Sequence, residues 1–78
     1  MTDLIFPYHA RREMAKDGIP EAGVYHVVGD ADEVIERGDG RTVYTGTWDG
    51  RTFVVVIEDD ERTVVTVCQF KWRRPRRR

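Results

Sequence analysis

Two β-rich runs, RTVYTGTW (41–48) and RTFVVVIE (51–58), are separated by only two residues, Asp49-Gly50. A two-residue Asp-Gly link between strands is the strongest short-range hairpin signal in the chain, and a hairpin makes the two strands antiparallel. An isolated hairpin is marginal in water, so the rest of the chain must cover or extend it. TVVTVCQF (63–70) supplies a further strand after the charged turn Asp59-Asp60-Glu61. Val34-Ile35, followed by the turn signal Asp39-Gly40, reads as a short first strand. The apolar centre FVVVI (53–57) predicts burial on both faces and hence a central position.

The residues before Glu33 follow a different period. Tyr8 to Asp17 reads as a helix started by Pro7, with Ala10 and Met14 as its apolar stripe and Tyr8 and Ile19 at the ends of that stripe. His9, Arg12, Glu13 and Lys16 share another face. Gly18 is the left-handed stop. Pro20 opens a second helix running to about Val28, with Val24, Val27 and Val28 buried and His26 facing solvent. Its valine content gives it weak propensity, so packing must hold it. The expected fold is α+β, two short N-terminal helices on a three- to four-stranded antiparallel β-meander. Strand alternation puts Val43, Val54, Val56, Val65 and Val67 on one face. Tyr44, Phe53, Val55, Ile57, Thr66 and Cys68 fall on the other. Both sets are apolar, which leaves open the face the helices cover; the uncovered one would be a site or a dimer interface.

The 78 residues suffice for one small domain, assigned to 1–70. With 40% hydrophobic and 35% charged residues, the chain suits a folded rather than a disordered state. The lone cysteine, Cys68, excludes an intrachain disulfide and is expected as a small buried apolar residue. No apolar run approaches the roughly 18 residues of a membrane span, and MTDLIF has no basic n-region; a cytoplasmic location is expected. The net charge of −1 hides an asymmetry. Residues 71–78 (KWRRPRRR) hold six basic residues and no acid, leaving seven basic against fourteen acidic residues in 1–70, a net of −7. Dense like charge and Pro75 argue against regular structure in this tail. Lys71, Trp72, Arg73 and Arg74 are suited to neutralise and stack a nucleic-acid strand, or to lie on the acidic body or an acidic partner.

His9 and Arg12 lie one turn apart, where a histidine able to move a proton near neutrality and a guanidinium fork could meet one phosphate. The competing reading is structural: a histidine at a helix start commonly bonds a carbonyl, and helix arginines commonly pair with acids. Tyr44 and Trp48 suit base stacking or cross-strand pairing. Two histidines and one cysteine, far apart, form no metal motif, and no cofactor is expected.

His9-Ala10, Arg12, Met14, Gly18-Ile19, Val24, Val34-Ile35, Arg41, Tyr44-Thr45-Gly46, Gly50-Arg51, Val54-Val55-Val56 and Thr66-Val67 together resemble the pattern of the small bacterial domain of unknown function 4258, over roughly residues 8 to 68. The sequence departs from it at Asp17, where arginine is common, at Cys68-Gln69, where an aromatic is usual, and in its acidic body. That family looks related to RelE-like and BrnT-like toxins, small metal-independent ribonucleases of toxin–antitoxin systems. The resemblance implies a RelE-like fold, an RNA-cleaving or RNA-binding role, and a cognate antitoxin or a second copy as partner. It would make His9 the general acid or base and give phosphate to Arg12, Arg41 and Arg51. Tyr44 and Thr66 would position the 2′-hydroxyl or scissile phosphate, if the helix packs across the strands. The alternative is a non-catalytic interaction module that uses its exposed sheet face.

Overall fold

The computed structural model describes residues 3–70. Six elements follow in order: α1 (Tyr8–Asp17), α2 (Glu21–Gly29), β1 (Glu33–Glu36), β2 (Arg41–Trp48), β3 (Arg51–Glu58) and β4 (Val64–Gln69). The strands form one antiparallel sheet in the order β1-β2-β3-β4, so every connection is a hairpin. Asp49 and Gly50 have φ of 55° and 74°, the two positive values of the expected tight turn. Pro7 and Pro20 sit just ahead of their helices rather than in the first turn. Gly18 ends α1 at φ 70°, in the left-handed region, and the Ile19 N–H donates to the Met14 carbonyl at 3.0 Å.

Both helices pack on one face of the sheet, α1 along β4 and α2 across β2 and β3. Ala10, Met14, Ile19, Val24 and Val27 meet Phe53, Val55, Ile57, Val64 and Val67 there, with Leu4, Phe6, Val28, Tyr44 and Trp48 at the margin. Close approach is possible because Gly23 and Gly46 lack side chains. A Cβ at Gly23 would come within 2.6 Å of Ile19 Cγ1 and 2.9 Å of Trp48 Cδ2, and one at Gly46 within 3.3 Å of the Val27 carbonyl.

Several expectations are corrected. Val67 pairs with Val55 and faces the helices, whereas Thr66 and Cys68 pair with Val56 and Val54 on the uncovered face, the reverse of simple alternation. A register shift between Val56 and Ile57 leaves Val65 as an extra residue on β4, so Val64 and Val67, three apart, are both buried against one face. The helices cover only one face of the middle strand; on the other face Val56 is nonetheless buried, while Val54 stays half-buried. Cys68 is an exposed free thiol, not a core residue. Tyr8 is 78% exposed and takes no part in the apolar stripe, and Val28 is half-buried. His26 is exposed as expected.

Candidate functional site

Ala10 and Met14 are the residues of α1 buried against the sheet. His9, Arg11 and Arg12, off that stripe, are exposed. The arginines differ in their commitments. Arg11 Nη1 lies 2.7 Å from Glu21 Oε2, tying α1 to α2, and its guanidinium stacks 5.4 Å from the Phe6 ring centre. Arg12 enters no ion pair among the described residues; its guanidinium lies 5.8 Å from the centre of the exposed Tyr8 ring. A cation over an aromatic face, beside an exposed histidine, is a combination that can grip a phosphate and stack a base.

Arg51 has a different task. Its Nη1 donates to the Asp17 carbonyl at 2.9 Å and its Nη2 to the Gly18 carbonyl at 3.1 Å, while the guanidinium lies 5.0 Å from the Phe53 ring centre and 5.9 Å from that of Trp48. These bonds satisfy carbonyls at the C-terminal end of α1, whose partial negative charge suits a cation. Charge-assisted bonds of this kind contribute roughly 1.5–3 kcal/mol each when made to a charged group. Arg51 is thus engaged in holding the helix to the sheet.

The remaining candidates do not converge on α1. The pairing register puts Tyr44 opposite Val55 on the helix-covered face, where it packs half-buried at the core margin. Thr66 pairs with Val56 on the uncovered face. Arg41 pairs with Glu58, its Nη2 3.7 Å from Glu58 Oε2, and lines a shallow depression with Glu36, Arg37 and Asp59. A single site formed by α1 closing over Arg41, Tyr44 and Thr66 is therefore not the arrangement observed, because Tyr44 and Thr66 lie on opposite sides of the sheet. Lys71, Trp72, Arg73 and Arg74 lie outside the described residues.

Two groups have altered acidity. Asp60 is held below its ordinary 3.8 by the Thr63 hydroxyl, which donates to Oδ2 at 2.7 Å, and by the Thr63 and Arg62 N–H groups, which donate to Oδ1 at 2.9 and 2.8 Å. The Cys68 thiol is pushed above its usual 9.0, first by partial desolvation and then by the carboxylates of Asp17 and Glu13, which disfavours the nucleophilic thiolate. Neither group belongs to the His9–Arg12 surface. Sequence reasoning missed Tyr8 as the partner of Arg12; the i, i+4 spacing was the available signal.

Among solved structures, the chain is similar to the 1.1 Å crystal structure of the Brucella abortus ribonuclease toxin BrnT, with a TM-score of 0.69 and 15% sequence identity, over 92% of this chain and 100% of that one. Two helices on one face of a four-stranded antiparallel meander therefore define an α+β domain of RelE-like fold. Within that class, the chain belongs to the family described as Domain of unknown function (DUF4258), which it matches over residues 6–69. A search of curated proteins finds no match. No helix among the described residues is long and apolar enough to cross a membrane.

Proposed function

We propose that this is a toxin-type domain acting on RNA, with the exposed start of α1 as the contact surface and metal-independent cleavage as its chemistry. The observation that carries this reading is the His9–Arg12 pair, left outward on a fold similar to that of a ribonuclease toxin and backed by the Tyr8 ring. In such a reaction a base takes the proton of the 2′-hydroxyl, the 2′-oxygen bonds to phosphorus, and the 5′-oxygen leaves and is protonated. His9 moves one of these protons. Arg12 donates two hydrogen bonds to the phosphate and stabilises its added charge. Arg41 and the basic run from Lys71 through Arg74 add long-range attraction that the acidic body lacks. A cognate antitoxin would then be the protein partner.

The test is to express the chain and its His9→Ala and Arg12→Ala variants and to measure growth inhibition and cleavage of total RNA, with circular dichroism as the control for folding. Both exposed substitutions should leave the fold intact and reduce cleavage by about 10²-fold or more, the usual contribution of a positioned acid or base. Undiminished cleavage in both variants would overturn the assignment. A second reading is favoured by one feature, the uncovered sheet face bearing half-buried Val43 and Val54 and exposed Ile35, which suits a protein-interaction module. Absence of toxicity and cleavage in the unmutated chain would select it.

A further inference from the structure

The two edges of the sheet are treated differently. The β4 edge is closed by the chain itself. Ile5 pairs in parallel with Thr63, its N–H donating to the Arg62 carbonyl at 2.7 Å while the Val64 N–H donates to the Ile5 carbonyl at 2.9 Å. At the other end of β4 the Gln69 N–H donates to Asp17 Oδ2 at 3.1 Å. At the opposite edge, no described residue covers β1 in this way. The Arg37 N–H donates to the Arg41 carbonyl, so in this register residues 33, 35 and 37 turn their backbone groups toward β2. The N–H and C=O of Val34 and Glu36 consequently point away from the sheet. Val34 and Ile35, on opposite faces, are 53% and 47% exposed.

The side chains along this edge select what can pair with it. Residues 29–36 carry Asp30, Asp32, Glu33 and Glu36 and no basic residue. A short, charged edge strand is a common guard against unwanted pairing. Here the guard works against β1 itself: laying this edge against its own copy would bring two acidic strands together, and like charges opposite one another destabilise a strand pair. Opposite charge is what the edge accepts. The chain holds one dense run of it, KWRRPRRR at 71–78.

We propose that the open β1 edge docks the basic run of a second copy of this chain. An antiparallel register places Lys71 opposite Glu36, Trp72 opposite Ile35, Arg73 opposite Val34 and Arg74 opposite Glu33. Both glutamates then meet a cation, the indole covers exposed Ile35, and Lys71 and Arg73 stand where the free backbone groups of Glu36 and Val34 point. Pro75 falls opposite Asp32, whose N–H already donates to the Thr45 carbonyl at 2.8 Å, so the ladder ends where proline can no longer extend it. Donor and acceptor surfaces differ, so the contact is head-to-tail. The docking does not rest on the ribonuclease reading, although RNA would compete for the same cations.

Sedimentation velocity on the full chain tests this. The unmutated protein should self-associate as concentration rises, and the association should weaken with added salt. Glu33→Lys with Glu36→Lys, and separately Lys71→Glu with Arg74→Glu, should each weaken it by about tenfold or more, since two opposed pairs become repulsive. An equimolar mixture of the two variants should regain association, because each then offers the charge the other lacks. Glu33→Gln with Glu36→Gln provides a milder variant should the reversal disturb folding, and it should also weaken association. Monomers at every concentration, unaltered association in the edge variants, or a mixture no stronger than its parts would each overturn the proposal.

Discussion

Asp60 shows how much a single exposed side chain can organise. At the β3–β4 turn it accepts three hydrogen bonds and, with Glu61 at φ 61°, lets the chain reverse within a run of three acids. Those bonds favour the ionised form, so the folded pKa lies below the ordinary 3.8. Its contribution to stability is therefore present above that value and is lost as pH falls through the lowered folded value. Thermal melts from neutrality to about pH 2 should show a steeper loss for the unmutated chain than for Asp60→Asn, and the variant should melt lower at neutral pH; equal slopes would contradict the bond assignment. The turn was legible from the acidic cluster, but the Asp60–Thr63 bond was not, since three neighbouring carboxylates look alike in sequence. The same holds for the arginines. His9 and Arg12 were legible as an outward pair from helix spacing alone. Arg51 was not legible as the partner of α1, because Asp17 and Gly18 lie more than thirty residues earlier in the chain.

At the scale of elements, the punctuation was clear. Pro7, Gly18, Pro20, Asp39-Gly40 and Asp49-Gly50 mark starts and stops by restricting or permitting particular backbone angles, and such local effects do not wait for the tertiary fold. The joint between α2 and the sheet is different. Gly23 sits inside a helix, where alanine is ordinarily favoured by roughly 1 kcal/mol. Here the added methyl would meet Ile19 and Trp48 at distances that force them to move. Gly23→Ala should lower the urea midpoint, corresponding to a net loss of about 1–3 kcal/mol from overpacking. A rise in the midpoint would mean that Ile19 and Trp48 yield freely. The helix propensities of α2 could not reveal this, because the obstacles lie outside the helix, Ile19 just before it and Trp48 on β2. The Arg11–Glu21 pair between the helices is half-exposed and contributes only about 0–1 kcal/mol, so packing around Gly23, Val24 and Val27 determines where α2 lies.

For the whole molecule, the decisive event is the choice of sheet face. Burial assigns Val55 to the helix side and leaves its neighbour Val54 half-exposed. Val55→Thr should therefore cost about 1–3 kcal/mol in urea unfolding, the penalty of an unpaired buried hydroxyl, while Val54→Thr should cost well under half of that. Equal losses would mean that both faces are covered in solution. The sequence by itself determined the kinds and order of the elements, the antiparallel pairing through Asp49-Gly50, the polar face of α1 and the opposite charges of 1–70 and 71–78, because turn chemistry, periodicity and charge are local. Only the tertiary structure decided which apolar face is covered, where Tyr44 and Thr66 stand relative to α1, and which edge stays open. Alternation has period two and both faces of β3 are apolar, so a one-residue difference in the pairing of β4, with Val65 as the extra residue, exchanges its inward and outward side chains. That exchange buries Val67, exposes Cys68 and parts Thr66 from the helix, and no local rule in the sequence anticipates it.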